Sequence, residues 1–130
     1  MAVENVGLDI TLSAAGTLAT KMYYFVKISA NNTVDICSNA ADIPIGILQN
    51  KPDAAGKAAV VRVVGYSKVS SDAGLTYGNL IGTSADGQAD AKTSGTDTTE
   101  YICGQVVKGT SNAGELAEAY INCANIGRAA

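Results

Sequence analysis

Apolar and polar residues alternate with a period of two along much of this chain, and helical periodicity is nearly absent. Leu8-Asp9-Ile10-Thr11-Leu12-Ser13 alternates strictly, with Leu8, Ile10 and Leu12 on one face and Asp9, Thr11 and Ser13 on the other. Met22 to Ile28, containing Tyr23-Tyr24-Phe25-Val26, is the most β-prone run. Asn31-Asn32 reads as a tight turn into Thr33-Val34-Asp35-Ile36. Ile43 to Leu48 and Ala58 to Val64 read as two further strands, joined by a loop that carries Pro52, Asp53 and Gly56. Leu80-Ile81 and Gln88-Ala89 flank Asp86-Gly87, a strong hairpin-turn dipeptide. Tyr101 to Val107 and Leu116 to Cys123 complete the set. The Ala pairs at 14–15 and 54–55 are cut off by Gly16 and Gly56, so they start no helix.

Asn112 to Asn122 has the best helix propensity in the chain, yet an internal repeat predicts that it is extended. Ile45-Gly46-Ile47-Leu48 falls on Cys103-Gly104-Gln105-Val106, and Ala55-Gly56-Lys57 on Ala113-Gly114-Glu115, at a constant offset of 58. Ala58 to Val63 then falls on Leu116 to Ile121, and the first of these is plainly a strand. With a small shift, Ser29-Ala30-Asn31-Asn32 falls on Ser84-Ala85-Asp86-Gly87, and Leu18 on Leu75. Residues 15–70 and 72–123 therefore read as two copies of one β unit. Gly46 and Gly104, inside strands, suggest bulges or sharp bends at the corners of a small barrel. Val60-Val61-Arg62-Val63-Val64 is apolar on both parities, which predicts burial of both strand faces between the two units. The expected fold is all-β, a small barrel or sandwich of two similar units in one domain, 15–130, preceded by an extended arm, 1–14.

Composition supports a globular chain with little chemistry to offer. Of 130 residues, 47% are apolar and only 16% charged, which excludes a highly charged disordered tail. Apolar runs are only a few residues long, far short of the roughly 20 that a membrane-spanning helix needs. Met1 to Asn5 lacks the basic start and apolar stretch of a signal peptide, so an unprocessed chain in a reducing compartment is expected. Cys37, Cys103 and Cys123 fit no metal-binding spacing and read as small buried hydrophobes. The net charge is −3, the wrong sign for tracking phosphates, so no nucleic acid partner is expected. Residues 1–70 carry +1 and residues 71–130 carry −4.

The chain has no His, which removes Ser-His-Asp and Cys-His catalysis together with the commonest metal ligand. No Ser-x-x-Lys pair occurs, and Ser67-Lys68 and Thr20-Lys21 read as strand-edge residues. Gly109 to Gly114 lacks the lysine of a phosphate loop and precedes a strand. Asp86, Asp90, Asp97 and Glu100 do not match an EF-hand loop and read as a solvated acidic face. Asn31-Asn32-Thr33, a sequon in form, reads as a turn. These observations predict no enzyme, no cofactor and no metal.

The order of the motifs resembles that of tailed-phage head decoration, or capsid cement, proteins. The likeness is carried by I43-P-I-G-I-L48, P52-D-A-A-G-K57, V60-V-R-V-V-G-Y-S-K-V69 and G74-L-T-Y-G-N-L-I-G-T-S-A-D-G-Q-A89. Asn79 stands where Asp is common in that family. The closing I102-C-G-Q-V-V107 and A113-G-E-L-A-E118 continue it, so that it spans about 15–123. The resemblance implies a protein without catalytic activity that is assembled in the host cytoplasm and bound to the outside of the head. It would clamp neighbouring major capsid subunits, commonly as a homotrimer. A phage tail or fibre module, or an adhesin-like binding domain, would share this composition.

The N-terminal segment lies outside the repeat so defined, yet Leu8 to Leu12 carries the cleanest amphipathic strand pattern. Such a strand suits β-augmentation, with Val3, Val6, Leu8, Ile10 and Leu12 as candidate contacts to a capsid subunit or a neighbouring copy. The other reading is that Leu8 to Leu12 pairs within its own domain.

Overall fold

Strand β5, Ala58–Ser70, is thirteen residues long, about twice a typical strand, and the rest of the molecule is arranged around it. A computed structural model gives the structure of residues 7–130. Ahead of β5 come β1 (Leu8–Ala14), β2 (Phe25–Ala30), β3 (Thr33–Ile36) and β4 (Gly46–Leu48). After it come β6 (Leu80–Thr83), β7 (Ala89–Ala91), β8 (Tyr101–Ile102), β9 (Gly104–Lys108), β10 (Leu116–Asn122) and β11 (Gly127–Arg128). There is no helix among the described residues, and Leu116–Asn122 is a strand despite its helix propensity.

The strands form two rings that share β5. In the first, the order β1-β3-β2-β4-β5 closes through antiparallel pairing of β1 with the first half of β5, Leu8 opposite Val64 through Ser13 opposite Ala58. In the second, the order runs from the second half of β5 through β10, β9 and β6 to β7, and a single parallel bridge, Ser71 to Ala89, returns to the end of β5. Strands β8 and β11 form a separate two-stranded patch.

Ladder registers show that the rings are two copies of one unit. Ile47 pairs with Arg62 and Leu48 with Val61; 58 residues on, Gln105 pairs with Tyr120 and Val106 with Ala119. Val26 pairs with Ile36 and Ile28 with Val34, as do Ile81 with Ala91 and Thr83 with Ala89. Positive φ recurs at matched positions: Tyr23 and Gly78, Asn32 and Gly87, Gly56 and Gly114. A Cβ on Gly46 would collide with the Arg62 carbonyl, and one on Gly104 would lie 2.8 Å from the carbonyl of Tyr120, the residue matched to Arg62. Both glycines thus permit the same close strand crossing.

The same registers move the repeat boundary. Ser13 faces Ala58 and Ala14 bridges Val34 in parallel; likewise Ser70 faces Leu116 and Ser71 bridges Ala89 in parallel. Strand β1 is therefore the counterpart of the second half of β5, and the units run from about 8 to 64 and from 65 to 122. Residues 8–14, expected as part of an arm, are the first strand of the first barrel. Their apolar face is needed there to close the ring: Ile10 and Leu12 pack against the same cluster as Val26, Val34, Leu48 and Val61.

Other boundaries shift for local reasons. Tyr23, at φ 71, sits in a turn and donates its N–H to Leu48, so β2 begins at Phe25 rather than Met22. Ile43 and Pro44 belong to a loop held by the Asp42 carboxylate, which accepts from the N–H groups of Ser38 and Asn39. Along β5 the odd positions 59, 61, 63, 67 and 69 are buried, while Val60, Arg62, Val64 and Tyr66 are half-buried. The strand thus has one core face and one partly covered face, where burial of both was expected. The core itself is split. One cluster fills the first barrel; a larger one, with Phe25, Cys37, Ile47, Val69, Ile81 and Ile121, fills the second ring and the seam between the two.

Candidate functional site

The N-terminal contact residues divide three ways. Val3 and Val6 lie outside the described residues. Ile10 and Leu12 are half-buried against the protein's own core, which leaves Leu8, 52% exposed, as the one large apolar side chain of β1 open to a partner. One edge of β1 is hydrogen-bonded to β5 along its length, and the other meets β3 only at Ser13 and Ala14. The pairing that was one of two readings for this segment is therefore made within the domain. Asp9 completes it on the outer face, holding the Arg62 guanidinium through two contacts of 2.8 and 3.1 Å.

A cleft of about 310 Å³ lies at the seam, lined by Tyr23, Gln49, Arg62, Tyr66, Lys68 and Glu118 with Ser67 at its floor. Its polar groups are engaged with one another. Gln49 Nε2 donates to Ser67 Oγ at 2.9 Å, Arg62 also donates to the Tyr66 carbonyl at 2.8 Å, and Tyr66 Oη donates to Glu118 at 2.8 Å. That last bond, reinforced by partial burial, raises the Tyr66 phenol above its ordinary range. Ser67 and Lys68, expected as strand-edge residues, lie within β5. Ser67 donates to the Lys68 carbonyl and accepts from Gln49, and the Lys68 ammonium stands over the Tyr23 ring. The arrangement ties the two barrels together and holds no nucleophile beside a free base.

The acidic residues of the second half have separate structural duties. Asp90 and Glu100 flank the ammonium of Lys92, whose side chain is fully buried. Asp97 accepts from the Thr93 N–H at 2.6 Å and so holds the loop between β7 and β8. Asp86 accepts from Ser84 and from the Gln88 N–H in the β6–β7 turn. Asp72, desolvated and close to Asp86, has its carboxyl raised above the usual range. No group of three or more potential ligands stands together among the described residues. All three cysteines are free and buried. Burial pushes the Cys37 thiol up to about 12, so it stays protonated.

An unpartnered apolar surface lies on the outer side of the second ring. Leu80 lies opposite Gln105, and Gln105 opposite Tyr120, so three side chains form one row across β6, β9 and β10. Leu80 is 40% and Tyr120 51% exposed, and Val107, at a bulge in β9, is also exposed. Sequence reading missed this row because Leu80 and Val107 each sit in short apolar runs that look buried. The β10 alternation, with Tyr120 out of phase with Ala117, Ala119 and Ile121, was the usable signal.

The chain is similar in structure to the head fiber gp8.5 N base of bacteriophage phi29, with a TM-score of 0.66 over 91% of this chain and 96% of that one. The two share a fold. Sequence identity between them is 16%, too low to carry individual residues from one to the other. No protein-family model and no curated protein matches the chain.

Proposed function

We propose that this chain is a structural protein of a phage head, bound to the outer surface of the shell and strengthening contacts between major capsid subunits. The observation that carries this reading is the fold shared with a head fiber base over nearly the whole of both chains. The sequence supports it: motifs resembling decoration proteins run through residues 15–123, and the residue set lacks the commonest catalytic base. In this reading the partners are the major capsid protein and other copies of the chain, as a homotrimer, and the protein is part of the virion exterior. Net negative charge suits a surface that must not compete for packaged DNA.

A second reading rests on the same likeness. The similar chain is the base of a fibre, so this chain could equally be a capsid-bound foot on which a longer appendage stands. Co-sedimentation with mature heads tests the shared core of both readings. The protein is expected to pellet with heads and to saturate at a fixed ratio to capsid subunits. Failure to pellet, or binding that rises without saturating, would overturn it. A density map of decorated heads separates the two by whether density continues outward beyond the double barrel.

A further inference from the structure

The two rings expose opposite halves of one interface. At the seam, the β6–β7 turn of the second ring seats against the edge of the first. Phe25 N–H donates to the Gly87 carbonyl at 2.8 Å, and Thr83, 1% exposed, sets its hydroxyl against Cys37. The fit at the tip is tight, since a Cβ on Gly87 would lie 2.6 Å from Ile36 Cγ2. The seam therefore has an inserted turn, Thr83 to Gly87, and a receiving edge, Phe25, Ile36 and Cys37.

By the repeat, the inserted turn has a counterpart in the first ring: Ile28 to Asn32. There Ile28 is 52% exposed, and Ser29, Ala30, Asn31 and Asn32 are exposed with it. The receiving edge has a counterpart in the second ring at Leu80, Ala91 and Lys92, where Leu80 and Ala91 are open to solvent and the Lys92 side chain is buried beside Asp90 and Glu100. The substitutions at the tip compensate. Inside the chain a glycine meets an isoleucine; at the two open counterparts an asparagine, Asn32, would meet an alanine, Ala91. The larger turn residue faces the smaller edge residue. The turn backbone is the same, with φ of 53 at Asn32 and 87 at Gly87.

We infer that the chain self-associates head to tail, the Ile28–Asn32 turn of one copy seating on the Leu80–Ala91 edge of the next and repeating between copies the contact that joins the rings within one. Such an interface is heterologous, so it forms a closed ring if the rotation closes and a filament if it does not. It goes beyond the homotrimer of the capsid reading by naming the two surfaces in contact, and its test contains no heads, so its failure is distinct from a failure to bind them.

The experiment is sedimentation equilibrium on the purified protein and two variants, Ile28→Asp, which spoils the turn, and Leu80→Glu, which spoils the edge. Wild type is expected to associate with rising concentration, and each variant to associate at least about tenfold more weakly, as for the loss of a central contact. Mixed in equal amounts, the variants retain one good turn and one good edge, so the mixture is expected to form a dimer and stop there. A wild type that stays monomeric at its highest soluble concentration overturns the inference. So does association that either variant leaves intact, or a mixture that stays monomeric. Circular dichroism melts confirm that each variant is folded, and Ile28→Ser and Leu80→Gln, milder at the same exposed positions, replace any that is not.

Discussion

In the first ring Phe25 and Ile47 are wholly removed from water; in the second, Leu80 and Gln105, at the same ladder positions, are not. The backbone treats the four residues alike. Each pair joins matched strands of its unit, β2 to β4 in the first and β6 to β9 in the second. The difference lies in the covering that each ring receives. The first unit has a second unit to cover it, and the second has only the short β8–β11 patch. Side-chain identity matches the covering: a phenylalanine and an isoleucine where water is excluded, a leucine and a glutamine where it is not. A repeated backbone sets where side chains point, while the sequence at each copy records what they meet.

Truncation of the matched pair gives the largest test of this contrast. Phe25→Ala is expected to cost about 3–5 kcal/mol, the range for emptying a buried aromatic site. Leu80→Ala, measured on dilute protein, is expected to cost under about 1 kcal/mol, because an exposed side chain leaves little cavity. Urea melts of both variants check it, and equal costs would mean that the second face is covered in the isolated chain.

The glycine crossings give a smaller contrast. A methyl at Gly46 meets the Arg62 carbonyl and Val61 Cγ1 at 2.6 Å, whereas one at Gly104 meets the end of a flexible Ile121 side chain and the Tyr120 carbonyl, both at 2.8 Å. Both Ala variants are expected to be destabilised within the roughly 1–3 kcal/mol of overpacking, Gly46→Ala the more. Thermal melts of the pair check the order.

The loop carboxylates give the smallest effect. Asp42 accepts from two backbone N–H groups and from Lys27 Nζ at 2.9 Å, and Asp97 from the Thr93 N–H. Asp42→Ala is expected to cost about 1 kcal/mol, as for loss of a capping side chain, and Asp97→Ala less. Partial burial opposes ionisation of Asp42, but the Lys27 ammonium and the N–H groups of Ser38 and Asn39 outweigh it and hold its pKa below the usual value. A lowered carboxylate pKa adds stability that is present above the unfolded-state value and is lost as pH falls through the folded one. The gap between wild type and Asp42→Ala should therefore close on acidification. Urea melts from neutral pH down into the acid range track it.

Much of this fold was legible in the sequence. Strict alternation gave β1, the Gly-x-Leu and Gly-x-Val segments at Gly46 and Gly104 gave the repeat, and the repeat overruled helix propensity at Leu116–Asn122. The counterpart of β1 was not legible. Gly65 to Ser71 shares one identity with Leu8 to Ala14, Ser70 with Ser13, because one segment lines a barrel from the chain's start and the other must also pass through the seam. Burial alternates continuously from Ala59 to Val69, but Val60 to Val64 is apolar on both parities, which hid in the sequence that β5 serves both rings. Of the exposed row at Leu80, Gln105 and Tyr120, only Tyr120 was legible, from the β10 alternation, since whether a leucine on a β face meets protein or water depends on a neighbour far away in the chain. At the N-terminal segment the amphipathic pattern of Leu8 to Leu12 was legible, and Ile10 and Leu12 meet the protein's own core.

Sharing β5 has a consequence for the order in which the protein forms. Val64 is paired with Leu8 near one end of the described chain and with Asn122 near the other, so its ladder joins segments more than fifty residues away on either side. Long-range closure of this kind is slow, because the entropy of a large loop must be overcome before the ladder stabilises anything. The first ring cannot close during synthesis until β5 has emerged. Once it has, its first half, held by β1 and β4, sets the direction in which the second half, Val64 to Ser70, extends to pair with β10. Each ring thus depends on a strand that the other also holds, and fraying either one loosens it.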